Sequence, residues 1–378
     1  MIYLDYNATT PIAEEVAEVM KKMIKNYGNP SSSHALGIKA KKAVEEARNR
    51  VAALLNCSAE EIVFTSGGSE SNNMAIKGTA YTYSKKGRHI ITSAIEHPAV
   101  QEPCSFLEKN GYQITQLPVD KNGIVKLDKL KEAIREDTIL ISIMHANNET
   151  GSIQPIKEIA QLAAENNILL HTDAAQSVGK IKTDVKEMGV DFLSLAGHKL
   201  YAPKGIGVLY IKKGIEIEPL IHGAGHESGR RAGTENVIHE AALGKACEQA
   251  AELFEGRKNN SGVKTPAEIR ELRDYFQQQL KNIFGERLKL NGHPKKRLPN
   301  TLNVSFLDCR GDQILDHLNG VAVSTGSACH EDSVELSSVL KAMDLSQQEG
   351  AGAVRFSLGK YTLKSEVDQV LSQLKLLK

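Results

Sequence analysis

The sequence predicts an α/β protein, with a large domain built on a mostly parallel sheet and a smaller α+β domain after it. Three observations carry this. Short, nearly continuous apolar runs alternate with amphipathic helical stretches over the first two thirds of the chain, as expected for strands buried on both faces of a sheet. The pattern changes near Gly256, where a polar stretch at 257–263 reads as a linker. Beyond it, strands and helices recur on a smaller scale.

In the first part, candidate strands lie at 61–65, 89–94, 139–144, 168–172, 192–195 and 207–211, and candidate helices at 13–25, 38–55, 127–134 and 156–165. After the linker come a helix at 266–283, a strand at 302–306, a further helix, a strand at 321–324 and a last helix at 364–377. A short strand-like run, Ile2-Tyr3-Leu4-Asp5, stands at the start. Residues 15–255 are therefore expected to form the large domain, and 1–14 together with 256–378 the small one. The 378 residues, 41% hydrophobic and 25% charged, suffice for two buried cores. With 47 basic and 46 acidic residues there is no net charge to draw nucleic acid or an anionic membrane. No apolar run reaches the length of a membrane span and no charged-then-apolar leader precedes Ile2, so the cytoplasm is the expected location. The five cysteines, at 57, 104, 247, 309 and 329, form neither a CxxC pair nor a metal-ligand cluster. A reducing compartment and no metal are expected.

Ligands of open α/β sheets sit beyond the carboxyl ends of the strands. Here five successive strands end in groups that carry chemistry. The strand at 61–65 runs into Ser66-Gly-Gly-Ser-Glu-Ser-Asn72 and a helix, which can cradle a phosphate or simply form a capped turn. The next ends at Glu96-His97-Pro98, where a histidine can stack on a ring, carry protons or be structural. The third ends at His145-Ala-Asn147-Asn-Glu-Thr-Gly151, a set of side chains that commonly serves a turn. The fourth ends at Asp173-Ala-Ala-Gln176. The acid can hold a pyridinium N–H or cap a helix, and the amide is spaced to reach a neighbouring ring substituent. The fifth ends at Ala196-Gly-His198-Lys199, whose lysine is a Schiff-base candidate rather than a charge on a solvated helix. Taken together, in this order, they satisfy the contacts that pyridoxal phosphate needs.

The small domain adds Ser324-Thr-Gly-Ser-Ala-Cys329-His330, a cysteine among small residues directly after a strand, which suits a nucleophile that must move. It also adds Arg355, a guanidinium in an otherwise apolar strand, suited either to a substrate carboxylate or to a buried ion pair.

With these motifs, and with Tyr3-Leu-Asp-Tyr-Asn-Ala-Thr-Thr-Pro11, Gly28-Asn-Pro-Ser-Ser-Ser-His34 and Arg231-Ala-Gly-Thr-Glu-Asn236, the chain resembles the NifS/IscS-type cysteine desulfurases over nearly its whole length. These are class V aminotransferase-like pyridoxal-phosphate enzymes of fold type I. The resemblance implies that Lys199 bonds covalently to the cofactor, Asp173 pairs with the pyridine nitrogen and His97 stacks on the ring. It implies that Gln176 and Asn147 lie near the ring hydroxyl and that Gly68, Ser69 and His198 hold the phosphate. Thr234 would reach the phosphate of a neighbouring subunit, which implies a homodimer. Arg355 would bind the substrate carboxylate, helped by Asn7 and His34. The implied reaction turns L-cysteine into L-alanine and leaves the sulfur on Cys329 as a persulfide, for transfer to an acceptor protein in sulfur metabolism such as iron–sulfur cluster assembly. Two positions depart from the family pattern. Ala196 replaces a serine that many relatives use at the phosphate, and His330-Glu331-Asp332 after Cys329 is closer to animal selenocysteine lyases. A selenocysteine lyase is therefore the alternative; Cys329 itself favours sulfur.

Overall fold

Apolar residues that alternate between two layers make the central sheet. A computed structural model describes residues 1–258, 262–325, 327–330 and 333–377, with 327–330 and 333–335 described by their backbone alone. After a short first strand, β1 (Ile2–Tyr3), the chain lays down β2 (Ile62–Thr65), β3 (His89–Ser93), β4 (Gln113–Leu117), β5 (Thr138–Ser142), β6 (Leu169–Asp173), β7 (Phe192–Ala196) and β8 (Gly207–Ile211). Strands β2 to β8 form one sheet in the order β2-β8-β7-β6-β5-β3-β4. All run in one direction except β8, which is antiparallel to both neighbours. Side chains one apart point to opposite faces. Ile90, Leu140 and Phe192 therefore join Met74 and Val100 in one apolar layer, while Ile91, Ile141 and Leu193 join Val44 and Ile159 in the other.

The helices of this part are α1 (Glu14–Ile24), α2 (Ala35–Leu55), α3 (Gly68–Thr82), α4 (Pro98–Glu108), α5 (Leu127–Ala133), α6 (Ile156–Glu165), α7 (Val185–Met188) and α8 (Val237–Phe254). The strand β4 is absent from the sequence expectation. It lies at the edge of the sheet with most of its residues partly exposed, so its run Gln-Ile-Thr-Gln-Leu lacks the continuous apolar signal of its neighbours.

A second core gathers around α9 (Pro266–Phe284), the strands β9 (Leu288–Asn291) and β10 (Thr301–Phe306), and a later strand, Ala353–Ser357. Ile2 and Leu4 pack into this core, and β1 pairs in parallel with β11 (Val321–Ala322). Between them lie α10 (Gly311–His317), β12 (Ser324–Thr325) and a hairpin of β13 (Ser327–His330) and β14 (Ser333–Leu336), in which Cys329 faces Val334 in register. The chain closes with α11 (Ser338–Ala342), α12 (Gln347–Ala351), β15 (Ala353–Ser357) and α13 (Lys364–Leu374). The second sheet runs β12-β15-β10-β9. Val339 and Met343 reach back into the first core, so α11 ties the two parts together. No helix among the described residues is long and apolar enough to cross a membrane.

Candidate active site

Because β8 alone is reversed, the carboxyl ends of β2, β3, β5, β6 and β7 share one edge of the sheet. A cavity of about 460 Å³ opens there, in the size range of cofactor sites. Gly68, Ser69, His97, Asp173, Gln176, His198 and Lys199 line it from the strand-end loops, and Asn7 and Arg355 line it from the other side.

Glycines set the first loop. Gly67, the N-cap of α3, has φ +154°, and a Cβ on Gly207 would lie 2.6 Å from the Gly67 backbone. A Cβ on Gly68 would stand 3.3 Å from that of Ala196. The N-terminus of α3 thus lies flush against the end of β7, with its free N–H groups and Ser69 at the cavity. Ala196 also lines the cavity, with no hydroxyl to offer.

Pro98 at the start of α4 disfavours helical backbone at the residue before it, and His97 is extended. Its Nδ1 accepts from the Ala99 N–H at 3.1 Å, which fixes the ring. Burial lowers the His97 pKa; Asp173 opposes this and Lys199 adds to it. Asp173 ends β6, and its two oxygens accept from Asn72 Nδ2 at 2.7 Å and the Ala175 N–H at 2.9 Å. Its direction is therefore set by the chain. His198 Nδ1 pairs with Thr9 Oγ1 at 3.1 Å, and burial with the nearby Lys199 pushes its pKa down to about 4.

Lys199 follows β7 in a short 3-10 turn. Its Nζ donates to the backbone oxygens of Asn7 at 2.5 Å and Ala8 at 2.6 Å. Burial, then Arg355, push its pKa down to about 8, against Asp5 and Asp173. Arg355 sits on β15 and forms the ion pair that is one of its two sequence readings, while lining the cavity as the other would need. It pairs with Asp5 at 2.7 Å and also reaches Ser324 Oγ at 3.0 Å and the Asn148 oxygen at 3.0 Å. Its Nε is buried with no partner among the described residues, and Arg355 lines the cavity.

Three of the expected residues sit differently in this chain from what the resemblance implies. Asn147 does not face the cavity. It is fully buried, with Oδ1 accepting from the Glu149 and Thr150 N–H groups and Nδ2 donating to the Ile95 oxygen, so the turn consumes it. Its neighbour Asn148 lines the cavity instead. His34 is exposed as the N-cap of α2, accepting from the Gly37 N–H at 3.3 Å, and is not part of the cavity wall. Asn7 lines the cavity, but its side chain is fully engaged. Nδ2 donates to the Asn148 oxygen and Thr301 Oγ1, and Oδ1 accepts from Asn300 and Lys180. Its backbone oxygen accepts from Lys199 and Gln176. Thr234 is exposed and outside the cavity of its own chain. The side chain of Cys329 lies outside the described residues. Sequence reasoning missed Asn72, which holds Asp173, and Lys180, which holds Gln176. Asn72 stands inside a motif already noticed, but nothing in the sequence tells which of its polar residues turns inward.

Burial pushes the thiols of Cys57 and Cys104 up to about 12 and that of Cys247 higher still, which makes these three inert.

The donors fit pyridoxal phosphate: a helix N-terminus with a serine for the phosphate, a fixed carboxylate for the ring nitrogen, and a buried amine of lowered pKa. Fold and site define a fold-type I pyridoxal-phosphate enzyme. The chain belongs to the aminotransferase class-V family, matched over residues 2–370, and within it to the NifS/IscS-type cysteine desulfurases. The cysteine desulfurase IscS of Dictyoglomus turgidum is 51% identical over 376 residues, 99% of this chain and 93% of that one. Among solved structures, a NifS-like protein superposes with a TM-score of 0.91 at 39% identity, covering 100% of this chain and 98% of the other. A structure described as SspA in complex with cysteine gives 0.83 at 38% identity, covering 96% and 100%.

Proposed function

We propose that this enzyme takes sulfur from L-cysteine through Lys199 and Cys329, releasing L-alanine. The observation that carries the reading is the meeting of the α3 N-terminus, His97, Asp173 and Lys199 at one cavity, with Arg355 opposite. Pyridoxal phosphate, when bound, supplies an aldehyde that joins an amine and a ring that accepts the electron pair left when a Cα–H bond breaks.

The chain's own residues do the rest. Gly68, Ser69 and His198 hold the phosphate, and Asp173 holds the ring nitrogen in its protonated form. Arg355 grips the substrate carboxylate. Lys199, with its pKa lowered to about 8, carries the proton from Cα. The Cys329 thiolate then attacks the substrate sulfur. A sulfur–sulfur bond forms, the Cβ–S bond breaks, and its electron pair stays with the carbon skeleton, which takes up a proton and leaves as L-alanine. One substrate thiol and one enzyme thiol thus give alanine and an enzyme persulfide, with no external oxidant or reductant.

A homodimer completes the reading. Thr234 is exposed, and the N-terminal stretch leaves Ile24, Tyr27 and Ile38 at 64%, 79% and 58% exposure, which suits a second copy of the chain. An acceptor protein, in iron–sulfur cluster assembly or another sulfur route, would take the persulfide sulfur in the cytoplasm.

The test is L-alanine release from L-cysteine and from L-selenocysteine, with excess thiol reductant, for the wild type and Cys329→Ala. Loss of cysteine turnover alone in the variant is expected. Selenocysteine turnover in both proteins with cysteine inert would make the enzyme a selenocysteine lyase.

A further inference from the structure

Gln176 lines the cavity, and which end of its amide faces a ligand decides whether it gives or accepts a hydrogen bond. Its Nε2 donates to the Asn7 backbone oxygen at 2.9 Å, and a carbonyl oxygen accepts only from the nitrogen end. Its Oε1 accepts from Lys180 Nζ at 2.8 Å. The same Nζ lies 3.3 Å from Asn7 Oδ1. Lys180 follows Gln176 by four residues in a tight loop, where the Val178 N–H bonds the Ala174 oxygen and the Lys180 N–H bonds the Ser177 oxygen. The loop therefore presents both side chains on one side.

The surroundings of Lys180 are unusual for a lysine. Among the described residues no carboxylate bonds it, and the charges that act on it, Lys199 and Arg355, are both positive. The acceptors that hold it are the oxygens of two amides. An amine kept at such a place, without an ion pair, is held there for what it bonds.

We infer that Lys180 is a positioning residue: by engaging Gln176 Oε1 and Asn7 Oδ1 it fixes both amides, so that Gln176 turns its second N–H, a donor, toward the cofactor. Burial, with Lys199 and Arg355 beside it, lowers the Lys180 pKa well below the ordinary lysine value, and a neutral amine still donates one N–H to each oxygen. This inference rests on Gln176 facing the ring hydroxyl of bound pyridoxal phosphate. A donor at that oxygen favours its ionised form, so removing the donor moves the titration of the bound cofactor to higher pH.

The experiment is a pH titration of the visible absorbance of the purified, cofactor-loaded enzyme, with cofactor affinity measured alongside by fluorescence. The variants are Lys180→Met, Gln176→Met, the double variant and Lys180→Arg. Gln176→Met and Lys180→Met are each expected to raise the midpoint by roughly one pH unit, the size of one hydrogen bond. The double variant should match Gln176→Met, since Lys180 acts through Gln176. Lys180→Arg keeps a donor to Oε1 and should stay near the wild-type midpoint, which keeps the test open if Lys180→Met fails to fold. Additive shifts, or a Lys180→Arg midpoint displaced as far as that of Gln176→Met, would overturn the assignment while leaving Gln176 at the ring. An unmoved midpoint in Gln176→Met would instead remove Gln176 from the ring hydroxyl, and the inference with it.

Discussion

Two sets of buried charge in this molecule are held in opposite ways. Arg48 on α2 meets Glu227 through two short bonds, 2.6 and 2.8 Å, and gives a third to the Ile62 oxygen at 2.7 Å. Glu227 in turn accepts from the Phe64 N–H at 2.9 Å, and the guanidinium lies 4.7 Å from the Phe64 ring centroid. Every charge there has an opposite partner of matching shape. At the cavity, Lys199 bonds only backbone oxygens and Arg355 shares the Asp5 carboxylate, while Lys180 behind them bonds only amide oxygens and has its pKa lowered by burial and by the charges of Lys199 and Arg355. The first set is complete without a ligand. The second holds two amines without ion pairs among the described residues, their pKa lowered, beside the carboxylates of Asp5 and Asp173.

Substitutions break this contrast in order of size. Lys199→Ala should lower L-alanine release by about 10³-fold or more, the scale of a lost proton carrier. Its melting temperature should not fall, because the lost group is a half-hidden amine that forms no ion pair among the described residues and whose charged form burial disfavours. Arg48→Met should do the reverse. It leaves Glu227 buried without its paired guanidinium, which costs about 3–5 kcal/mol of stability in denaturant unfolding, while turnover per folded molecule stays unchanged. An Arg48→Met enzyme of normal stability but low turnover would invert the comparison. Arg355→Lys keeps charge but loses the planar fork, so KM for cysteine should rise by roughly 10–100-fold, more than kcat falls.

The pair Asn147 and Asn148 sharpens the same contrast at one step of the chain. Asn147→Ala strands the buried Thr150 N–H and should cost about 1–3 kcal/mol of stability. Asn148→Ala should leave stability alone and weaken cofactor or substrate affinity, measured by fluorescence titration. The pair also marks where sequence reading stopped. The five chemical strand ends were legible because strands buried on both faces announce themselves as apolar runs, and the residue just past each run is then easy to name. Which of two adjacent asparagines turns inward depends on the turn at 147–151, whose N–H groups compete for one of them. The edge strand β4 escaped because its solvent side is polar. His34 was carried by resemblance alone, and a single chain leaves it at the surface as a helix cap. Lys180 gave no signal, since a lysine reads as a surface charge until its partners are seen.

The smallest effect concerns the proton on Lys199. Only the neutral amine can attack the cofactor aldehyde, and an ordinary lysine, at 10.5, is almost wholly protonated near neutrality. With the pKa lowered to about 8, capture of pyridoxal phosphate by the cofactor-free protein should speed up about tenfold per pH unit below 8 and then level off. Stopped-flow absorbance across pH 6 to 10 reads this directly. The sign for stability follows from the same shift. Between about 8 and 10.5 the unfolded chain holds a proton at this lysine that the folded chain has released, so stability rises with pH through that window, and below it the full penalty of burying the charge is present. Arg355→Met removes the second cause of the shift and should move the plateau toward higher pH. A capture rate that keeps climbing past pH 10 in the wild type would mean that Lys199 is held like the paired charges at Arg48, and the contrast between the two sets would be lost.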